Sequence, residues 1–233
     1  LFMSKIGEFT NFDVGDGADD TSIQIQIAEN QVSEIKALMS FRFLTIFTSE
    51  QELYIPTSEN RPLTPSTITV KKQTSFGSGT VPPKEFDGAI TFLTKSKGAV
   101  REFIFSDLSQ AYNSDSITLL SEHLIGTPSD IEVQRESSDQ MEGYLYLVNT
   151  EGYMPVFMSI RKEKVQGWVR YETNGLFKNI TNVNRQMYAV VRRTINSANV
   201  DSLELLKNDY YTDMSVQLSG SASKTWTASH LPN

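Results

Sequence analysis

Cysteine is absent from this chain of 233 residues, so no disulfide framework or thiolate metal site is open to it, and packing alone must hold the fold. Histidine occurs only twice, as His123 and His230. No run of 18 apolar residues exists, so no segment reads as a membrane-spanning helix, and the opening LFMSKIGEF lacks the charged start and apolar centre of a signal peptide. Positive charge is in short supply: 21 Lys and Arg face 28 Asp and Glu, a formal charge of -7. Dedicated nucleic-acid binders cluster cations to neutralise phosphates, so this balance argues against that class, and DNA passing nearby would be repelled.

What is present suffices for a sizeable core: 39% of residues are hydrophobic and 10% aromatic, in a length that all-β architectures often fill as one unit. Strict alternation marks strands with one buried face. Ile23, Ile25 and Ile27 around Gln24 and Gln26 show it cleanly. Comparable runs cover Leu44 to Phe47, Glu52 to Ile55, Ile68 to Gln73, Ala89 to Leu93 and Val100 to Phe105. Later ones cover Tyr144 to Val148, Val156 to Ile160, Val165 to Tyr171, Met187 to Arg192 and Val200 to Leu205. Ser49-Glu50, Glu151-Gly152, Asn174-Gly175 and Asn196-Ser197 sit where hairpins must reverse.

Strands so close in sequence must pair antiparallel, because a parallel crossover needs a dozen or more residues. They group near residues 32–74, 84–134 and 131–175 with partial sets at both ends, a spacing within the range of β-propeller blades. The expected fold is therefore all-β, a β-propeller-like array of about four to five antiparallel four-stranded blades. A β-sandwich with long loops fits the spacing less well. Trp-Asp and Gly-His markers are absent. One short inserted helix is expected over Asp115 to Leu124, capped by Ser114 or Asp115, with Ile117, Leu120 and Leu124 on one face and Gly126 and Pro128 ending it.

Few residues suggest chemistry. His123 follows Glu122, but adjacent helix positions point in different directions, and His230 is assigned no role. Asp13, Asp16, Asp19 and Asp20 gather beside two glycines, which suits an acidic surface loop; a bound Ca²⁺ is the minor option, without the EF-hand spacing. Phe76-Gly77-Ser78-Gly79 resembles a phosphate loop, yet Val81-Pro82-Pro83 blocks the helix that such a loop needs, leaving a tight connection. Lys71-Lys72, Lys95 with Lys97, Arg161-Lys162 with Lys164, and Arg192-Arg193 read as solvated strand edges. Tyr144, Tyr146, Tyr153, Phe157, Trp168 and Tyr171 read as core filling, with Trp168 buried and Gly167 admitting a neighbouring strand; a glycan groove is the alternative.

Several segments, taken in order, resemble the tail nozzle or tail tubular proteins of short-tailed bacteriophages. They are Met3-Ser4-Lys5, Gly7-Glu8-Phe9 and Asn11-Phe12; Asn30-Gln31-Val32 before Ile35; and Leu63-Thr64-Pro65 with Ile68 and Val70. Further ones are Ser75-Phe76-Gly77-Ser78 with Val81-Pro82-Pro83, and Val100-Arg101-Glu102. Then come Asp115, Leu119, Ser121, His123 and Leu124; Gly167-Trp168; and Val190-Val191-Arg192-Arg193-Thr194.

The resemblance covers residues 1–206 and implies a propeller-core domain there. It also implies an exit segment over residues 207–233, within a chain that is a piece of a longer one. It implies a structural virion component made in the bacterial host cytoplasm, without enzymatic activity, catalytic residues, metal or cofactor. This component would form a ring, expected to be a hexamer, around the DNA exit channel. Its partners would be the head-tail adaptor, the tail fibre and passing DNA held without specificity. The rival readings are a host-surface glycan or receptor module and a glycan-cleaving enzyme. The latter would draw its paired carboxylates from Asp107, Asp115 and Glu122.

Overall fold

The computed structural model describes residues 1–27, 33–57, 62–96, 98–136, 142–207, 212–216, 220 and 225. Among these the chain is all-β apart from one α-helix and one 3₁₀ turn. Strands β1 (Phe2–Met3) and β2 (Ile23–Gln24) form a two-stranded sheet. A four-stranded sheet follows in chain order from β3 (Ile35–Ser40), β4 (Leu44–Thr48), β5 (Glu52–Ile55) and β6 (Lys71–Thr74). A second joins β7 (Lys84–Phe86), β8 (Ala89–Leu93), β9 (Val100–Ser106) and β10 (Ala111–Ser116). A third comprises β11 (Pro128–Gln134), β12 (Gly143–Asn149), β13 (Met154–Ile160) and β14 (Val165–Tyr171). The last is three-stranded, β15 (Leu176–Val183), β16 (Gln186–Ile195) and β17 (Ala198–Leu206). No helix among the described residues is long and apolar enough to cross a membrane.

Each expected run contains a strand, β5, β8 and β14 have the expected bounds, and the Ile68 to Gln73 run is strand only from Lys71. The Ile23 run is shorter than its alternation implies: only Ile23 and Gln24 pair, while Ile25 and Ile27 pack against Ile46, Leu53 and Ile55. Reversals at Asp87-Gly88, Asn184-Arg185 and Asn196-Ser197 each place both residues at positive φ. That conformation matches the twist of antiparallel strands joined by a two-residue loop. Asn174-Gly175 does not close a hairpin; it links β14 to β15 in the next sheet.

The helix is also corrected. It spans only Glu122–Ile125 (α1), because Asp115 and Ser116 complete β10. Leu119 and Leu120 lie exposed, and Ile125 alone is buried in the helix. Its stop signals hold: Gly126 takes φ +61°, and a Cβ there would meet Asn149 Nδ2 at 2.2 Å.

The chain forms two compact units. The first comprises Leu1–Pro83, Phe92–Ser96 and Arg101–Asp115. It buries an aromatic core in which Phe103 stacks on Tyr112 at 4.3 Å, with Phe43, Phe47, Tyr54, Phe92 and Phe105 in ring contact. The second comprises Lys84–Thr91, Lys97–Val100 and Ser116–Asn233. Here the inner strands β12 and β13 are covered on both faces. On one, Phe157 meets Phe86 with ring centres 6.0 Å apart. On the other, Tyr146, Val148, Met154 and Val156 pack against Phe177, Ile180, Met187, Ala189 and Val191 of the three-stranded sheet.

Candidate functional site

Period-two alternation along β16 puts Met187, Ala189, Val191 and Arg193 on one face, and all four are buried. Arg193 is therefore not the solvated edge residue expected of the Arg192-Arg193 pair: its side chain is 1% exposed. A buried guanidinium is tolerable only when its donors are satisfied. Nε and Nη2 donate to the two Glu204 carboxylate oxygens at 2.6 and 2.7 Å, and Nη1 donates to Asn174 O and Asp213 Oδ2, both at 2.9 Å. Ser202 Oγ adds a hydrogen bond to Glu204 at 2.7 Å, and Asn174 N–H one to Asp213 at 3.1 Å.

The hydrogen bond to Glu204 raises the Arg193 pKa against the opposing effect of burial. Burial pushes the Asp213 carboxyl up. Hydrogen bonds from Thr173, Asn174 and Arg193, with the charge of Arg193, outweigh it and hold Asp213 below its ordinary value. Beside this network opens a cleft of about 750 Å³, lined by Tyr171, Phe177, Ser202, Leu206 and Met214 among others. The only sequence signal for it was the shared parity of Arg193 with Met187, Ala189 and Val191, obscured by the apolar Val190 and Val191 in succession.

A second cleft, of about 390 Å³, lies among Glu85, Asp87, Arg135, Ser159 and Arg161. Its charges neutralise one another. Arg161 donates to Asp87 O at 2.8 Å, Ser159 Oγ to Asp87 Oδ2 at 2.6 Å and Arg135 to Glu85 at 3.2 Å. In the first unit, Glu52 is fully buried, with Thr74 Oγ1 donating to its Oε2 at 2.5 Å and Phe76 N–H at 3.3 Å. Its Oε1 finds no partner among the described residues. Burial lifts the carboxyl above its ordinary range, against hydrogen bonds from Thr74, Phe76 and Gly77 and the charge of Arg101.

The other candidates are placed as follows. Asp107 lies in the turn between β9 and β10, paired with Arg42 at 2.6 Å. Asp115 stands near the far end of β10 from that turn. Glu122 and His123 are exposed on α1. Asp13, Asp16, Asp19 and Asp20 are exposed; Asp13 and Asp16 accept N–H bonds from Gly15 and Ala18 in local turns. No metal-holding group of three or more acidic, His or Cys residues occurs among the described residues. His230 and Lys97, and the Asn30-Gln31-Val32 match, lie outside the described residues.

Gly77 takes φ +70°, with Ser78 N–H bonded to Thr48 O at 2.7 Å and Gly79 N–H to Leu93 O at 2.8 Å, a tight connection. Lys71 and Lys72 are exposed, Arg161 to Lys164 form the exposed 3₁₀ turn between β13 and β14, and Arg192 pairs with Asp201 at the surface. Of the aromatics, Tyr146, Tyr153 and Phe157 are buried, Tyr144 and Trp168 half-buried, and Tyr171 exposed. Trp168 is thus corrected from fully buried. Its ring lies 4.9 Å from Phe157 and its Nε1 donates to Ile117 O at 2.7 Å, while Gly167 has no neighbour within 4 Å of a Cβ.

No protein-family model and no curated protein matches the chain. Among solved structures, it is similar to a Bacteroides uniformis protein provisionally named 6-phosphogluconolactonase, at 14% identity and a TM-score of 0.48, over 80% of this chain. The match spans 63% of that protein's length. The expectation that the chain is not an enzyme is withdrawn on this finding, since a structure similar to it bears an enzyme's name. At this identity and TM-score the likeness assigns no reaction to the chain.

Proposed function

We propose that the chain is a structural component of a short-tailed bacteriophage virion, a wall element of the tail nozzle around the channel through which DNA leaves. On this reading its successive meanders are blades of a propeller-like core and its copies form a ring of six. Head-tail adaptor and tail fibre are its neighbours.

The observation that carries the reading is electrostatic. Arg42, Lys84, Lys95, Arg135, Arg161, Arg170 and Arg192 are each paired with a carboxylate, within a chain of net charge -7. A surface on which many cations are already neutralised and carboxylates are in surplus has few charges to exchange for the counterions of a phosphate backbone, so DNA slides past such a wall without being held. The ordered segments that resemble nozzle proteins favour the same reading.

The test is to place the chain in the particle. Virions assembled with a gold-binding tag on this protein should show label at the distal end of the tail in electron micrographs. Label on the capsid, or virions without label, would refute the reading.

A further inference from the structure

Among the described residues, two apolar surfaces stand open to solvent. One is the N-terminal segment of the first unit, where Phe2, Ile6, Phe9 and Phe12 are 60%, 67%, 85% and 52% exposed. The segment is nonetheless ordered: Leu1 and Ile25 exchange hydrogen bonds at 2.9 Å, and Lys5 N–H bonds to Asn11 O at 2.9 Å. Four large apolar side chains held out of one short segment are not the scattered exposures normal for a surface.

The other is the outer face of the sheet β15 to β17. Register pairs Tyr188 with Leu205, Val190 with Leu203 and Arg192 with Asp201, so these six side chains share the face opposite to Met187, Ala189 and Val191. Leu203 is 70% exposed.

The two surfaces are complementary in charge. The first continues through exposed Glu8, Asp13, Asp16, Asp19 and Asp20, and Lys5 pairs with Asp20 at 3.8 Å. The second carries Arg192 and Asp201, with Lys178 acting on Asp201 and exposed Arg185 in the turn at its end.

We infer that the N-terminal segment of one copy docks on the outer β16–β17 face of a second copy, with Phe9 and Phe12 against Leu203, Val190 and Leu205. The acidic Asp13 to Asp20 loop then lies towards Lys178 and Arg185. Such an interface is heterologous: each copy uses a different surface, and successive contacts build a ring or a filament. This inference rests on the nozzle reading for its ring and names the contact between neighbours.

The experiment is sedimentation velocity on the full chain from about 1 to about 500 μM, the range of weak protein contacts, with Phe9→Asp and Leu203→Asp as variants. Both positions are exposed, so folding should survive; circular dichroism checks this, and Phe12→Asp and Leu205→Asp replace any variant that fails it. The parent should pass from single chains to assemblies larger than two as concentration rises. Each variant alone should stay single. An equimolar mixture of the two variants should give two-chain species and nothing larger, because only one intact contact can form.

A parent that stays single, a variant that still associates, or a mixture that stays single would each overturn the contact; a parent that stays single would point to a different protein as the occupant. Single chains in solution beside label at the tail tip would reject this contact alone. Association without label in virions would reject the nozzle placement alone.

Discussion

Arg193 and Glu52 are both buried charges, and they differ in how many partners they have. The Arg193 guanidinium donates four hydrogen bonds, to Glu204, Asp213 and Asn174 O. Removing it leaves two carboxylates facing each other without a cation, so Arg193→Met should cost about 3–5 kcal/mol, the usual cost of breaking a buried pair from one side. Urea unfolding of the parent, Arg193→Met and the double variant with Glu204→Leu measures this. The double variant should recover most of the loss.

Glu52 is the opposite case, with one oxygen orphaned. Its folded pKa lies above the ordinary 4.5, so the folded chain binds the proton more tightly, and this residue favours folding more as pH falls through its folded pKa towards 4.5. Asp213 acts in reverse, its contribution being lost only below its ordinary 3.8. In thermal melts from neutral pH down to the ordinary Glu value, the parent should gain stability that Glu52→Gln lacks, and Glu52→Gln should melt no lower at neutral pH. A steeper acid dependence in the variant would contradict the burial argument.

At the scale of elements, the connection between β6 and β7 is as tight as its glycines suggest. A Cβ on Gly77 would meet Ser49 O at 2.3 Å, in a backbone conformation that side chains rarely adopt. Gly77→Ala should cost about 1–3 kcal/mol, read as a lower melting temperature, while Gly167→Ala, in open space, should leave it unchanged. Strand β14 makes the related point. Its alternation was legible and its bounds correct, yet nearly all of it is exposed. Alternation establishes that a strand has two faces and says nothing about whether another sheet covers either. The helix failed for a comparable reason: Ser114 and Asp115 satisfy a capping pattern, but completing β10 gives their backbone groups a ladder to join.

For the whole molecule, the surplus of carboxylates decides the interaction with DNA. Titrating duplex DNA at about 150 mM salt should give binding weaker than the non-specific range of about 10⁻⁴–10⁻⁶ M. Tighter binding would mean that Lys71, Lys72 and the other unpaired cations act together as a patch.

The sequence by itself determined the all-β class, the antiparallel meanders and the tight Gly77 connection, because these depend on local periodicity, on short separations that forbid parallel crossovers, and on single residues with distinctive backbone freedom. It also determined the charge surplus, which is a sum over side chains. The tertiary structure alone decided that Arg193 lies in the core and Arg192 at the surface, that Glu52 loses water, that Trp168 is only half covered, and that the Phe103–Tyr112 stack forms. The physical reason is that burial and pairing are set by what lies across the sheet, from residues distant in the chain, and a one-residue shift of phase exchanges the two faces without changing the local pattern.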